Sequence, residues 1–144
     1  MAIGVKFVGA GLLVGALWDL FTTFYGVASY FDLPMNPRIN PEQFTFAVVV
    51  TVVVFGFMIA THIVWTMGDE TGIPPLLLKA AWAICVGIDL ITSWEGTKYY
   101  VFAGDESDPA KDFGLAIVTA LIVCSTIFLS WLALAKDAKT KSHP

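Results

Sequence analysis

The sequence predicts an all-α, polytopic membrane protein of four transmembrane helices, and three observations carry that prediction. The chain is 57% hydrophobic and only 14% charged, where soluble domains carry roughly 25% charge. Its mean hydropathy is +0.75. The 8 Lys and Arg and the 12 Asp and Glu gather in short stretches and leave four long apolar runs. At about 20 residues per crossing, four crossings use about 80 residues, so a chain of 144 has length left for loops and tails only. One membrane domain is expected over 1–144, built of a first unit over 1–68, a second over 73–135 and a tail over 136–144. The same composition excludes a basic nucleic-acid face, a disordered chain and a small disulfide-stapled domain.

Segment one runs from Phe7 to about Phe31, with Asp19 as its single charge. Segment two, Phe44 to Met67, has none. Segment three follows Pro74 and Pro75, carries Lys79 at its mouth and Asp89 in its body, and extends through Trp94 towards Phe102. Segment four, Phe113 to Ala135, is again uncharged. A backbone in hydrocarbon must satisfy its own hydrogen bonds, so runs of this length read as helices. The strands of a closed barrel would alternate polar with apolar residues, and Ala47 to Phe57 does not. The β-branched run Val48 to Val54 has strand propensity in water, but the long apolar context and the lack of turn residues favour helix. Lys6 before an apolar stretch, with small Val27, Ala28 and Ser29, also fits a cleaved secretory signal; the intramembrane Asp19 and its counterpart below argue for a retained span.

Orientation follows Lys and Arg placement. Lys6, Lys79, Lys136, Lys139 and Lys141 fall on the side of the termini, and Arg38, Lys98 and Lys111 on the other, which places both termini in the cytoplasm of a plasma or inner membrane. The outer stretches are then Asp32 to Gln43 and Glu95 to Asp112. The second is acidic through Glu95, Asp105, Glu106, Asp108 and Asp112, a pattern that fits simple solvation or, less economically, a cation-attracting vestibule. The first holds Pro34, Pro37 and Pro41 and is expected to be an ordered, non-helical connection with a helix start near Pro41 and Glu42. Trp65, Trp82 and Trp131 near one boundary, and Tyr25, Tyr30, Tyr99 and Tyr100 near the other, fit aromatic belts.

A shift of 70 positions lays Asp19, Leu20, Thr22, Thr23 and Gly26 on Asp89, Leu90, Thr92, Ser93 and Gly96, and Tyr30 on Tyr100. The chain therefore reads as a tandem parallel repeat of two helical hairpins. Helical spacing puts Gly11, Gly15, Asp19, Thr22 or Thr23, Gly26 and Tyr30 on one face, and Ala81, Cys85, Asp89, Thr92 or Ser93, Gly96 and Tyr100 on the matching face. The small residues Gly11, Gly15, Gly26, Ala81, Cys85 and Gly96 are the expected helix-packing positions, since they let backbones approach closely. Thr119, Thr126 and Ser130 form a weaker stripe on segment four, and Thr51, Thr61 and His62 one on segment two.

Asp19 lies 13 residues past Lys6, about 20 Å at the helical rise, and so sits deep in the bilayer. A carboxyl at such depth costs at least about 2.5 to 3.5 kcal/mol and needs compensation. The hydroxyls at i+3 and i+4 on each acid's own helix, Thr22 and Thr23 or Thr92 and Ser93, are the expected partners. Two readings follow. In the first, Asp19 and Asp89 are hydrogen-bonding clasps of a non-enzymatic membrane protein that acts as an assembly unit, either as a homo-oligomer or as a small subunit of a larger membrane complex. In the second, the same six residues carry a proton or a monovalent cation. The clasp reading leads.

The remaining candidates are weaker. His62 reads as an interfacial histidine rather than a proton relay, and Cys85 and Cys124 read as small packing residues. No metal site and no cofactor is expected, and no catalytic constellation is legible. The residues before the acids, Ala16, Leu17 and Trp18 in one case and Val86, Gly87 and Ile88 in the other, differ from the Gly-any-Gly-Asp pattern of intramembrane aspartyl proteases. Expected partners are the lipid bilayer, further copies of the chain or other membrane subunits, with the basic tail from Lys136 to Pro144 held at anionic lipid. No nucleic acid is expected.

Overall fold

The computed structural model describes residues 2–66, 72–102 and 108–141. It is helical, in the order α1 (Ala2–Tyr30), α2 (Pro41–Ile59), α3 (Thr61–Thr66), α4 (Pro75–Phe102) and α5 (Pro109–Lys141). Among the described residues, four stretches are long and apolar enough to cross a membrane: Lys6–Tyr30, Pro41–Ile59, Pro75–Val101 and Pro109–Leu132. By length and composition the chain is thus an integral membrane protein.

The helix ends follow from local chemistry. Asp32 closes α1 at φ 50°, with its N–H on the Ser29 carbonyl at 3.2 Å and the Leu33 N–H on the Ala28 carbonyl at 2.8 Å, the two bonds of a Schellman cap. The proline-containing connection is non-helical, as expected, and ends where the Asn40 side chain accepts the Gln43 N–H at 3.2 Å with Pro41 at the first helical position. Asp108 caps α5 in a related way, its Oδ1 accepting the Ala110 N–H at 3.1 Å ahead of Pro109.

Three expected boundaries shift. Segment two is not one helix, because it breaks at Ala60 into α2 and α3. The Thr61 hydroxyl donates to the Met58 carbonyl at 2.6 Å, and the Ser130 hydroxyl on α5 accepts the His62 N–H at 3.2 Å. Two side chains thus take both ends of one helical backbone link, a known cause of kinks. α4 continues to Phe102, the end expected for segment three, and it is the start of the acidic outer stretch that shifts, since Glu95 and Lys98 are helical. The helix of segment four runs on to Lys141 and includes most of the expected tail. Asp105 and Glu106 of the acidic stretch, and the side chains from Ala133 onward, lie outside the described residues.

Burial is the reverse of a soluble bundle. Leu13, Val14, Leu17, Val52, Ile84, Ile91, Leu121 and Phe128 face outward, while among the described residues twelve polar or charged side chains are buried beside ten apolar ones. Apolar contact with lipid costs nothing relative to apolar contact with protein, so the inside is left to close packing and hydrogen bonds. Buried positions on α2 and α5 share a spacing. Ala47, Thr51 and Met58 are buried on α2, and Leu115, Thr119 and Thr126 at the same spacing on α5.

Candidate intramembrane polar site

The site lies where α1 crosses α4. A Cβ on Gly26 would overlap the Thr92 carbonyl and stand 2.7 Å from the Thr92 Cα. A Cβ on Gly96 would overlap the Thr22 carbonyl oxygen and stand 2.8 Å from its carbon. Each glycine therefore admits the backbone of the other helix at the residue four before the opposite glycine. α1 also packs on α5, where a Cβ on Gly15 would overlap the Ser125 hydroxyl, a side chain rather than backbone. A Cβ on Gly9 would meet Leu132 at 3.4 Å. Of the other expected packing positions, Cys85 is buried and Ala81 half-buried, but Gly11 is exposed, and a methyl added there would meet nothing within 4 Å.

Close approach brings four side chains into one hydrogen-bonded chain. The Ser93 hydroxyl donates to Asp19 Oδ1 at 2.8 Å, Ser93 and Thr23 meet oxygen to oxygen at 3.0 Å, and the Thr23 hydroxyl donates to Asp89 Oδ1 at 2.7 Å. A further hydroxyl, Thr126 on α5, donates to Asp19 Oδ2 at 2.7 Å. Asp19, Asp89, Thr22, Thr23 and Ser93 are all 0% exposed, so the whole assembly is shielded from lipid and water. Asp89 Oδ2 is buried without a hydrogen-bond partner among the described residues, as are Thr97 Oγ1 and Thr119 Oγ1.

Five of the six expected residues, Asp19, Thr22, Thr23, Asp89 and Ser93, thus meet, but with different partners from those expected. The hydroxyls that serve the acids come from the opposite helix: Ser93 of α4 serves Asp19 of α1, and Thr23 of α1 serves Asp89 of α4. Helical side chains lean towards their own N-terminus, which turns each carboxyl away from the hydroxyls at i+3 and i+4 of its own helix. Thr92 stays out of the chain, donating to the Ile88 carbonyl at 2.9 Å. Thr22 chiefly serves its own backbone, with the Trp18 and Asp19 carbonyls both at 3.1 Å, and reaches Ser93 only at 3.3 Å. Thr126 was legible in sequence only as part of a stripe on segment four. No spacing rule within one helix points from it to Asp19.

Other candidates fall outside the site. His62 packs edge-on against Trp131 at 4.9 Å and contacts the Thr66 hydroxyl at 3.1 Å. Trp82 donates its indole N–H to Thr61 at 2.9 Å, and Lys79 sits 5.2 Å from the Trp65 ring. Tyr25 and Tyr100, expected in the aromatic belt, also pack on each other at 5.2 Å and on Phe21. Cys85 and Cys124 are free thiols, and no group of three metal-ligating side chains occurs among the described residues.

Fold and site together define an all-helical integral membrane protein with a buried carboxyl and hydroxyl cluster at the crossing of two spans. Comparison with protein-family models, with curated proteins and with solved structures finds no match to this chain.

Proposed function

We propose that the protein is a non-enzymatic membrane assembly unit whose Asp19 and Asp89 clasp its own helices together. The observation that carries this reading is the direction of the polar groups: both carboxyls turn to each other through Ser93 and Thr23, with no exposed edge. A clasp closed inside one chain leaves the outer faces free. Those faces, apolar along every span, suit lipid, further copies of the chain or the helices of a larger complex. The tandem repeat of hairpins belongs to the same proposal, supported by the reciprocal approaches of Gly26 to Thr92 and Gly96 to Thr22 and by the crossed hydroxyl donors. The cytoplasmic position of both termini belongs to the proposal too, and rests on the placement of Lys and Arg alone.

A second reading, transport of a proton or monovalent cation, is favoured by one feature, the unbroken run of oxygens from Asp19 to Asp89. The two readings separate in proteoliposomes carrying a pH gradient and a membrane voltage. The clasp reading expects proton and sodium flux no greater than that of protein-free vesicles, together with copies or membrane subunits recovered by crosslinking in the native membrane. Flux above the protein-free level that disappears in the Asp19→Asn, Asp89→Asn double variant, while the variant stays folded, makes the protein a carrier instead.

A further inference from the structure

Each hairpin carries a groove between its two arms, and the two grooves are built from matching positions. The groove between α4 and α5 holds 330 Å³ and is lined by Leu90, Ile91, Trp94, Ala116 and Thr119. The groove between α1 and α2 holds 420 Å³, and its lining includes Leu20, Phe21, Phe24, Val48 and Thr51. These lie 70 positions before their counterparts on α4 and 68 before those on α5. Both volumes fall in the usual range of ligand sites, about 300–1,000 Å³. The walls are apolar apart from Trp94 and the two threonines, and the α4 and α5 groove opens outward past the exposed Leu90 and Ile91.

The two grooves differ in their hydrogen bonds. A helical threonine can return its hydroxyl to the carbonyl four residues back, and Thr45, Thr51 and Thr92 do so at 2.7, 2.8 and 2.9 Å. Thr119 does not. Its hydroxyl is buried with no partner among the described residues, on a residue only 2% exposed. Trp94 stands where the first hairpin has Phe24, and its indole N–H donates to none of the described residues. The groove of the first hairpin therefore offers no free donor, whereas that of the second offers two on one lining. Within hydrocarbon no water is at hand to take them, and a polar group left unmade there is expensive.

Depth and chemistry select the occupant. Thr119 lies six residues past Phe113, where the apolar run of α5 begins, about 9 Å along the helix. A phospholipid keeps its ester oxygens at the headgroup boundary, and its chains below that carry no acceptor. What meets two donors at this depth is an acceptor carried on an apolar molecule. A carbonyl oxygen suits best, because its two lone pairs accept from both, and a flat ring suits a wall made by an indole. We propose that the groove between α4 and α5 binds an apolar carbonyl compound of the quinone class. Its ring oxygen accepts from the Thr119 hydroxyl and the Trp94 indole, and its hydrocarbon tail leaves past Leu90 and Ile91. The groove of the first hairpin, with its donors absent or tied, takes plain hydrocarbon. This site adds a ligand to the assembly unit and does not depend on the clasp.

The test equilibrates the full chain in lipid vesicles with decylbenzoquinone and measures the probe held beyond its partition into protein-free vesicles. One saturable site per chain is expected. Decylbenzene, with the same ring and tail but no oxygen, should show none, and this comparison needs no variant to fold. Thr119→Val, which keeps the side-chain shape, and Trp94→Phe, which places there the residue of the first hairpin, should each weaken binding about fivefold. Thr51→Val should leave it unchanged. Absence of a saturable component, equal binding of decylbenzene, full affinity in either Thr119→Val or Trp94→Phe, or an equal loss in Thr51→Val overturns the proposal.

Discussion

Gly26→Ala is expected to lose about 3 kcal/mol of stability, the upper end of the usual cost of overpacking, and Gly96→Ala about as much. The new methyl in each case meets the backbone of the other helix rather than the end of a flexible side chain: the Thr92 carbonyl and Cα for Gly26, the Thr22 carbonyl for Gly96. Neither helix is able to give way locally, because moving α1 off α4 also lengthens the links at Asp19 and Asp89. The double variant should therefore lose less than the sum of the two single losses, since the first substitution already opens the crossing. Gly11→Ala provides the control. Its methyl would meet nothing within 4 Å, and the helix propensity of alanine makes it neutral or slightly stabilising. Reversible unfolding in mixed detergent micelles measures all four variants, and equal losses at Gly11 and Gly26 would contradict the close crossing.

The second large effect is an inequality between the two acids. Asp19→Ala strands the Thr126 hydroxyl, takes one acceptor from Ser93, which keeps Thr23 as a neighbour, and loosens α1 from both α4 and α5. Stranded buried groups cost about 1–3 kcal/mol each in water-soluble proteins, and less in membranes, where the separated helices find other partners; about 2 kcal/mol is the expected total. Asp89→Ala removes one acceptor from Thr23, which keeps Ser93 as a neighbour, and it also removes the unpartnered Oδ2. Its cost should stay near about 1 kcal/mol. The same unfolding assay ranks them, and a larger loss at Asp89 than at Asp19 would contradict the hydrogen-bond assignment.

The fold was largely legible because bilayer thickness fixes helix length, and the apolar runs announced four spans without reference to packing. The residues of the site were legible too, since an acid in an apolar run stands out and the glycines and hydroxyls share its face. Their partnerships were not. That Ser93 serves Asp19, or that Thr126 does, depends on how closely and at what height α1, α4 and α5 cross, which no periodicity along a single helix encodes. The break at Ala60 was hidden for a similar reason. Half of its cause is local, in Thr61, but the other half is Ser130 on α5, 68 positions from His62. Gly11 shows the converse limit, since it shares the helical face of Gly15 and yet lies where α1 has no close neighbour.

The central claim is that the polar clasp closes within one chain, and a double-mutant cycle between Asp19→Ala and Ser93→Ala tests it most directly when unfolding is followed over a wide range of protein concentration. A clasp inside the chain predicts a coupling of about 1 kcal/mol that does not change with concentration. No coupling, or a coupling that grows with protein concentration, would contradict it.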